Sequence, residues 1–285
     1  MLRLLMALLC CSIHLAQAGV PVWKVSSGDK HLYLAGTVHV LAAEDYPLPQ
    51  AFERAYQAAA SVVLETDMGA MQGPEFQTAL LQAMSYNDGR SLQAVLTPAT
   101  YQALVAFASS RGLPIAALNS YKPSLVMMTL TLVELRRLGL GESGVDAHYY
   151  EQARRDNKGL VYLESVAQQL QFIAAMGEGR ENEFVQYSLN DMESLPDVMK
   201  QLKAAWLKGD LTTLNRIALQ PLQEDFPAIY RSLILQRNQA WLPSLQALLA
   251  TAPTELVLVG ALHLVGEHGL LEQLIKKGYT VQALE

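Results

Sequence analysis

Two histidines stand in matched settings. Each ends an apolar run that leads into Gly-x-x-His: Leu32-Tyr-Leu-Ala-Gly-Thr-Val-His39 and Leu256-Val-Leu-Val-Gly-Ala-Leu-His263. Two glutamates share a second pattern, Val62-Val-Leu-Glu65 and Val161-Tyr-Leu-Glu164. In open α/β sheets, ligands bind at the carboxyl ends of strands. Two imidazoles and two carboxylates at one such rim form a mixed nitrogen and oxygen set, which suits a divalent cation with one position left for water. The metal would acidify that water and polarise a carbonyl, and a carboxylate outside the metal shell would act as general base. The structural alternatives are plain. A histidine beside a buried strand is commonly a satisfied polar group. A glutamate there is commonly an ion-pair or helix-cap partner, because an unpaired buried acid is costly. The sequence holds no HExxH, no Walker A loop, no G-x-S-x-G and no Rossmann glycine fingerprint.

The elements that must position these residues are readable. Residues 31–35, 61–64, 160–163 and 256–259 are nearly continuous in apolar side chains, the pattern of strands covered on both faces. Residues 279–284 form a further strand, and Leu113–Leu118 is a candidate for another. Helices are expected over 48–60, from Thr97-Pro98 to Gly112, and over 123–138, 145–157, 166–176, 197–208, 238–250 and 267–277. The stretch from about 165 to 250 carries no strand signal, so it reads as a helical insertion between two parts of one sheet. The fold class is α/β, a mixed central sheet flanked by helices. No linker rich in Gly, Pro or Ser divides the chain, and residues 19–285 are taken as one domain.

These residues also carry a family likeness. Leu34-Ala-Gly-Thr-Val-His-Val-Leu41, Tyr46-Pro-Leu-Pro49 and Val63-Leu-Glu-Thr-Asp67 resemble the opening motifs of the TraB/PrgY/GumN family. Gly144-Val-Asp146, Leu163-Glu-Ser165 with Gln169, Arg237-Asn238 and the segment Gly260–Leu270 are similar to its later ones. The family includes the Tiki proteases and is similar in fold to the EreA/ChaN group. The resemblance implies a metallopeptidase-like site using Mn²⁺ or Co²⁺, with Zn²⁺ as a further candidate. Carried over, His39, His263 and Glu65 are the metal ligands, and Glu65, Glu164 and Arg237 are the catalytic candidates. Asp146 matches a motif position without an assigned role. An arginine at such a rim binds a carboxylate or steadies an oxyanion; the alternative is a structural ion pair. His148 reads as solvent-facing and His268 as structural.

Composition narrows the compartment and the partners. Arg3, the apolar run Leu4–Cys11 and Ala16-Gln17-Ala18 have the form of a secretory signal over residues 1–18. Cleavage there removes both cysteines, Cys10 and Cys11, so neither disulfides nor thiol catalysis are expected in the mature chain. A formal charge of −6 without a basic cluster argues against nucleic acid, and no later segment is long and apolar enough to span a bilayer. The expectation is an exported, periplasmic or secreted, metal-dependent hydrolase acting on a peptide or another small envelope or extracellular substrate. The alternatives are a non-catalytic peptide- or ligand-binding protein and an accessory protein of envelope polysaccharide. Amino-terminal sequencing of the exported protein is expected to begin at Gly19; an intact Met1 on periplasmic material would refute the assignment.

Overall fold

The computed structural model describes residues 20–284; the expected signal segment 1–18 and the expected terminus at Gly19 lie outside them. The described residues form eight strands: β1 (Val22–Ser27), β2 (Lys30–Thr37), β3 (Val40–Leu41), β4 (Ser61–Leu64), β5 (Glu142–Ser143), β6 (Gly159–Tyr162), β7 (Glu255–Gly260) and β8 (Thr280–Ala283). Six of them make one mixed sheet in the order β6-β4-β7-β2-β1-β8. The first four in that order run parallel, whereas β1 is antiparallel to both β2 and β8. The two Gly-x-x-His strands are therefore parallel neighbours, as are the two Leu-Glu strands. All four send their carboxyl ends to the same rim.

Burial explains the apolar runs. Leu256 and Leu258 of β7 face one layer with Phe52, Tyr56, Tyr149 and Trp206. Val257 and Val259 face the opposite layer with Trp241, Leu245, Leu249, Leu270 and Leu274. Alternate side chains of Leu256–Val259 thus enter different cores, so each of these four positions is apolar, whereas β6 lies at the sheet edge with Val161 exposed. The helix Gln50–Ala58 covers the first face and Gln236–Leu249 the second. A third cluster, with Leu104, Val126, Leu130 and Leu189, joins helices to one another away from the sheet.

Between β6 and β7 the chain is helical throughout, as the missing strand signal suggested. Three expectations need correction. Leu113–Leu118 holds no strand; Ile115–Leu118 is a 3₁₀ turn, because Pro114 opens it and Ile115 is buried among helices. The helix placed at 197–208 is the last part of a 27-residue helix, Glu181–Leu207, which continues through Pro196. His148 is half-buried rather than solvent-facing, since its ring packs on Tyr46 and Tyr149. No helix among the described residues is long and apolar enough to cross a membrane.

One close approach fixes the site's geometry. Gly144 caps the helix Val145–Arg155. Its backbone N–H donates to the His39 carbonyl at 3.1 Å, and that of Val145 to the Val38 carbonyl at 3.0 Å. A Cβ on Gly144 would lie 2.2 Å from the Val38 oxygen and 2.3 Å from the His39 carbonyl carbon. Only glycine lets this helix start against the backbone of the first histidine. Gly144→Ala must push the two segments apart; a stability loss of about 1–3 kcal/mol is expected, read as a lowered urea midpoint, with the His39 and Asp146 side chains displaced from each other.

Candidate functional site

The rim carries a charged cluster built from all four parallel strands. Glu65 follows β4 directly, and Glu164 lies two residues beyond β6. The two stay in step because the Glu164 backbone N–H donates to the Glu65 carbonyl at 2.9 Å. Arg237 descends onto them from the helix Gln236–Leu249. Its Nε donates to Glu164 Oε2 at 3.0 Å, and its Nη2 to Glu164 Oε1 at 2.7 Å and to Glu65 Oε2 at 2.5 Å. Nη1 donates to the Leu233 carbonyl at 3.3 Å and to His263 Nε2 at 3.1 Å. Leu233 belongs to a π-helical turn, Arg231–Leu235, that feeds this helix, an irregularity often found at functional sites. Glu65, Glu164, Arg237 and His263 are all buried. The Trp241 ring lies under the guanidinium, 4.6 Å from centroid to Cζ.

His263 sits in the 3₁₀ turn Ala261–Leu264 after β7. Asn238 Nδ2 donates to the carbonyls of His263 and His268, which turns its Oδ1 toward His263 Nδ1 at 2.7 Å. The ring therefore carries its proton on Nδ1 and accepts from Arg237 at Nε2. Burial drives its pKa down to about 3, so it is neutral throughout the physiological range. Burial by itself would push the Glu65 carboxyl up. His263, Arg237, His39 and the Gly260 N–H, which donates to Glu65 Oε1 at 2.7 Å, instead bring it down to about 2. Burial raises Glu164 against the pull of Arg237.

His39 has the opposite surroundings. Its side chain is 65% exposed, yet Nδ1 is 2.9 Å from Oδ2 of the buried Asp146. Thr37 Oγ1 donates to the other oxygen, Asp146 Oδ1, at 2.8 Å. The Asp146 charge raises the His39 pKa to about 9, with Glu65 adding to the effect and burial and Arg237 opposing it. Water at the open ring face screens part of this field. Nε2 is turned to the rim. A methyl group on Gly260 would stand 3.4 Å from both His39 Nε2 and Glu65 Oε1, and 3.7 Å from His263 Cδ2. The missing side chain leaves an atom-sized notch bordered by an imidazole and a carboxylate.

His39, Glu65, Glu164, Arg237 and His263 are thus gathered at one place. A divalent ion does not fit them as they stand. The lone pair of His263 Nε2 is taken by Arg237, both carboxylates are bonded to the same guanidinium, and no group of three His, Cys, Asp or Glu among the described residues is arranged to hold a metal. Arg237 already occupies the cationic position. Sequence reasoning left Asp146 without a role, although Gly144-Val-Asp146 stood out by motif; its signal was the glycine that brings its helix against His39.

Arg237→Ala leaves two buried carboxylates without a cation, a change that costs about 3–5 kcal/mol for a buried pair. The Glu65 pKa is depressed when folded, so its stabilising contribution is present above about pH 4.5 and lost as pH falls through about 2. Urea unfolding is expected to show the full deficit of the variant at pH 7 and a smaller one at pH 3. An equal deficit at both would mean that packing, not charge, sets the loss.

The sequence model of the TraB/PrgY/gumN family matches residues 21–283. The uncharacterized protein YbaP of Escherichia coli (strain K12) is 22% identical over 253 residues, which cover 87% of this chain and 89% of that protein. YbaP of Shigella flexneri aligns with the same identity and coverage. No solved structure matches. The family match runs through both Gly-x-x-His strands, both strand-end glutamates and Arg237, and on that footing the chain belongs to the TraB/PrgY/GumN family.

Proposed function

We propose that this protein is an exported hydrolase of peptide substrates, with His39 as the group that moves the proton. The observation that carries the reading is the exposed imidazole tied from behind to buried Asp146, with its free nitrogen beside the Gly260 notch. A water in the notch is held by ionised Glu65 and gives its proton to His39 Nε2 as its oxygen attacks the substrate carbonyl. Asp146 orients the ring and steadies the imidazolium. The imidazolium then returns the proton to the departing amine. Arg237 has its donors engaged, so it contributes fixed positive charge near the developing oxyanion rather than a free hydrogen bond. His263 and Asn238 hold Arg237 and the turn after β7 in place. Export rests on the amino-terminal pattern, and the peptide class on the family resemblance.

The notch offers a selective test. Because an added methyl on Gly260 meets its neighbours at ordinary contact distance, Gly260→Ala is expected to keep the wild-type melting temperature while losing turnover of a mixed peptide library read by mass spectrometry. His39→Ala is expected to lose about 10²–10⁴-fold, and chelator is expected to leave the wild-type rate unchanged. Cleavage that survives in both variants, or disappears with chelator, would overturn the mechanism. Binding of peptides without any cleavage would favour a sequestering protein.

The pH profile tests the dyad separately. A proton acceptor works only when neutral, and the Asp146 charge raises the His39 pKa toward about 9. The rate is therefore expected to climb with pH along a limb lying above the 6.5 of an ordinary imidazole. Asp146→Asn should lower the rate and move that limb downward. A limb that stays in place would remove Asp146 from the mechanism.

A further inference from the structure

The rim opens into two cavities, and His39 lines both. The larger, about 500 Å³, has walls from Leu41, Leu140, Pro196, Met199, Leu202 and Ala218. The smaller, about 390 Å³, is walled by Met68, Met71, Phe172 and Ile173. His39, Leu233 and Arg237 border both, so the imidazole forms a ridge between two apolar arms. Both volumes fall in the range of small-molecule sites. The smaller arm also has two polar wall residues with unpartnered buried atoms, Thr66 Oγ1 and Gln169 Oε1. A hydrocarbon chain would leave those atoms unsatisfied. An amide unit has both a donor and an acceptor to offer them once the Gln169 side-chain amide turns toward the arm.

We infer that the cleft binds an extended peptide carrying a large apolar side chain on each side of the bond that faces His39. The fate of that bond rests on the hydrolase reading; the binding does not. Each arm removes one side chain from water, and burying a leucine is worth on the order of tenfold or more in affinity. Because the arms meet at the ridge, one short segment fills both, and its two apolar groups act together.

Methionine methyl groups report on each arm: Met199 in the larger, Met68 and Met71 in the smaller. The probe is acetyl-Ala-Leu-Leu-Ala-amide with the central amide reduced to CH₂–NH, which cannot be hydrolysed. In carbon-13 methyl spectra it is expected to shift the Met199 and Met71 signals along one binding curve. Replacing either probe leucine by alanine is expected to weaken binding by about tenfold. Met199→Trp fills the larger arm and should erase the penalty for one of the two leucines only; Met71→Trp should erase it for the other. Should Met199→Trp fail to fold, Leu140→Asp at the lip of the same arm serves instead. Equal binding of the alanine probes, a response in one arm alone, or no binding would overturn the inference. Library cleavage separates it from the hydrolase reading. A wild type that binds the probe but cleaves nothing ends that reading and leaves the cleft, whereas cleavage without apolar preference does the reverse.

Discussion

A guanidinium buried between two carboxylates is the constraint on which the rest depends. Parallel strands leave Glu65 and Glu164 side by side at one rim, held in step by a backbone hydrogen bond. Two such acids cannot both ionise out of water without a cation between them. Arg237 supplies it, with both its fork and its Nε engaged. A charge placed so deeply has to come from a rigid support. That support is the helix Gln236–Leu249, whose Trp241, Leu245 and Leu249 are anchored in the core beneath the sheet. The long helical passage between β6 and β7 is thus obliged to return to the rim before the chain can enter its central strand.

The same charge divides two histidines that look alike in sequence. Both follow Gly-x-x after parallel neighbouring strands. His263 turns inward, where burial keeps it neutral and both ring nitrogens are committed, one to Asn238 and one to Arg237. His39 leaves the sheet on an open segment, where Asp146 holds one nitrogen and the other faces the notch. Two titratable groups with pKa values driven in opposite directions are a common sign of divided roles at a catalytic site. Here one imidazole is a fixed acceptor within the scaffold, and the other can exchange a proton with whatever enters.

Much of this was legible in the residues, for identifiable reasons. The four parallel strands were found because each is nearly continuous in apolar residues, a demand that two cores impose on β2, β4 and β7; β6 carries the same run at the sheet edge, where Val161 is exposed. Their order in sequence and the strand-end rule were enough to bring His39, Glu65, Glu164 and His263 together. β1 escaped notice because only Val22, Trp23 and Val25 of its six residues are apolar, neither in a continuous run nor in strict alternation, and it ends in two serines. The pair β3 and β5 is two residues long on each side and reflects tertiary contact rather than any local pattern. The pairing of Asp146 with His39 was hidden as well. It depends on a backbone approach that only the finished fold makes, and Gly144 is its one trace in the sequence. The donors of the metal set that the resemblance implied do converge, with Arg237 bonded to His263 Nε2 and to both carboxylates. Spacing shows which donors converge but not which lone pairs are already spoken for.

The charged rim and the apolar walls of the cleft come from different parts of this molecule. The rim groups come from strand ends and one anchored helix, and nearly every polar atom among them has a partner that would be orphaned by substitution. The walls of the cleft come mostly from elsewhere: Leu140 after one helix, Pro196 and Met199 within another, Phe172 and Ile173 on a third. Those side chains are apolar and, at Pro196, exposed to solvent. Exchanging one apolar wall residue for another changes the shape of an arm at small energetic cost, because no hydrogen bond is lost. Changing Glu65 or Arg237 strands a buried charge. The walls of such a scaffold can drift while its rim stays fixed, so a shared fold carries less information about the ligand than the walls do.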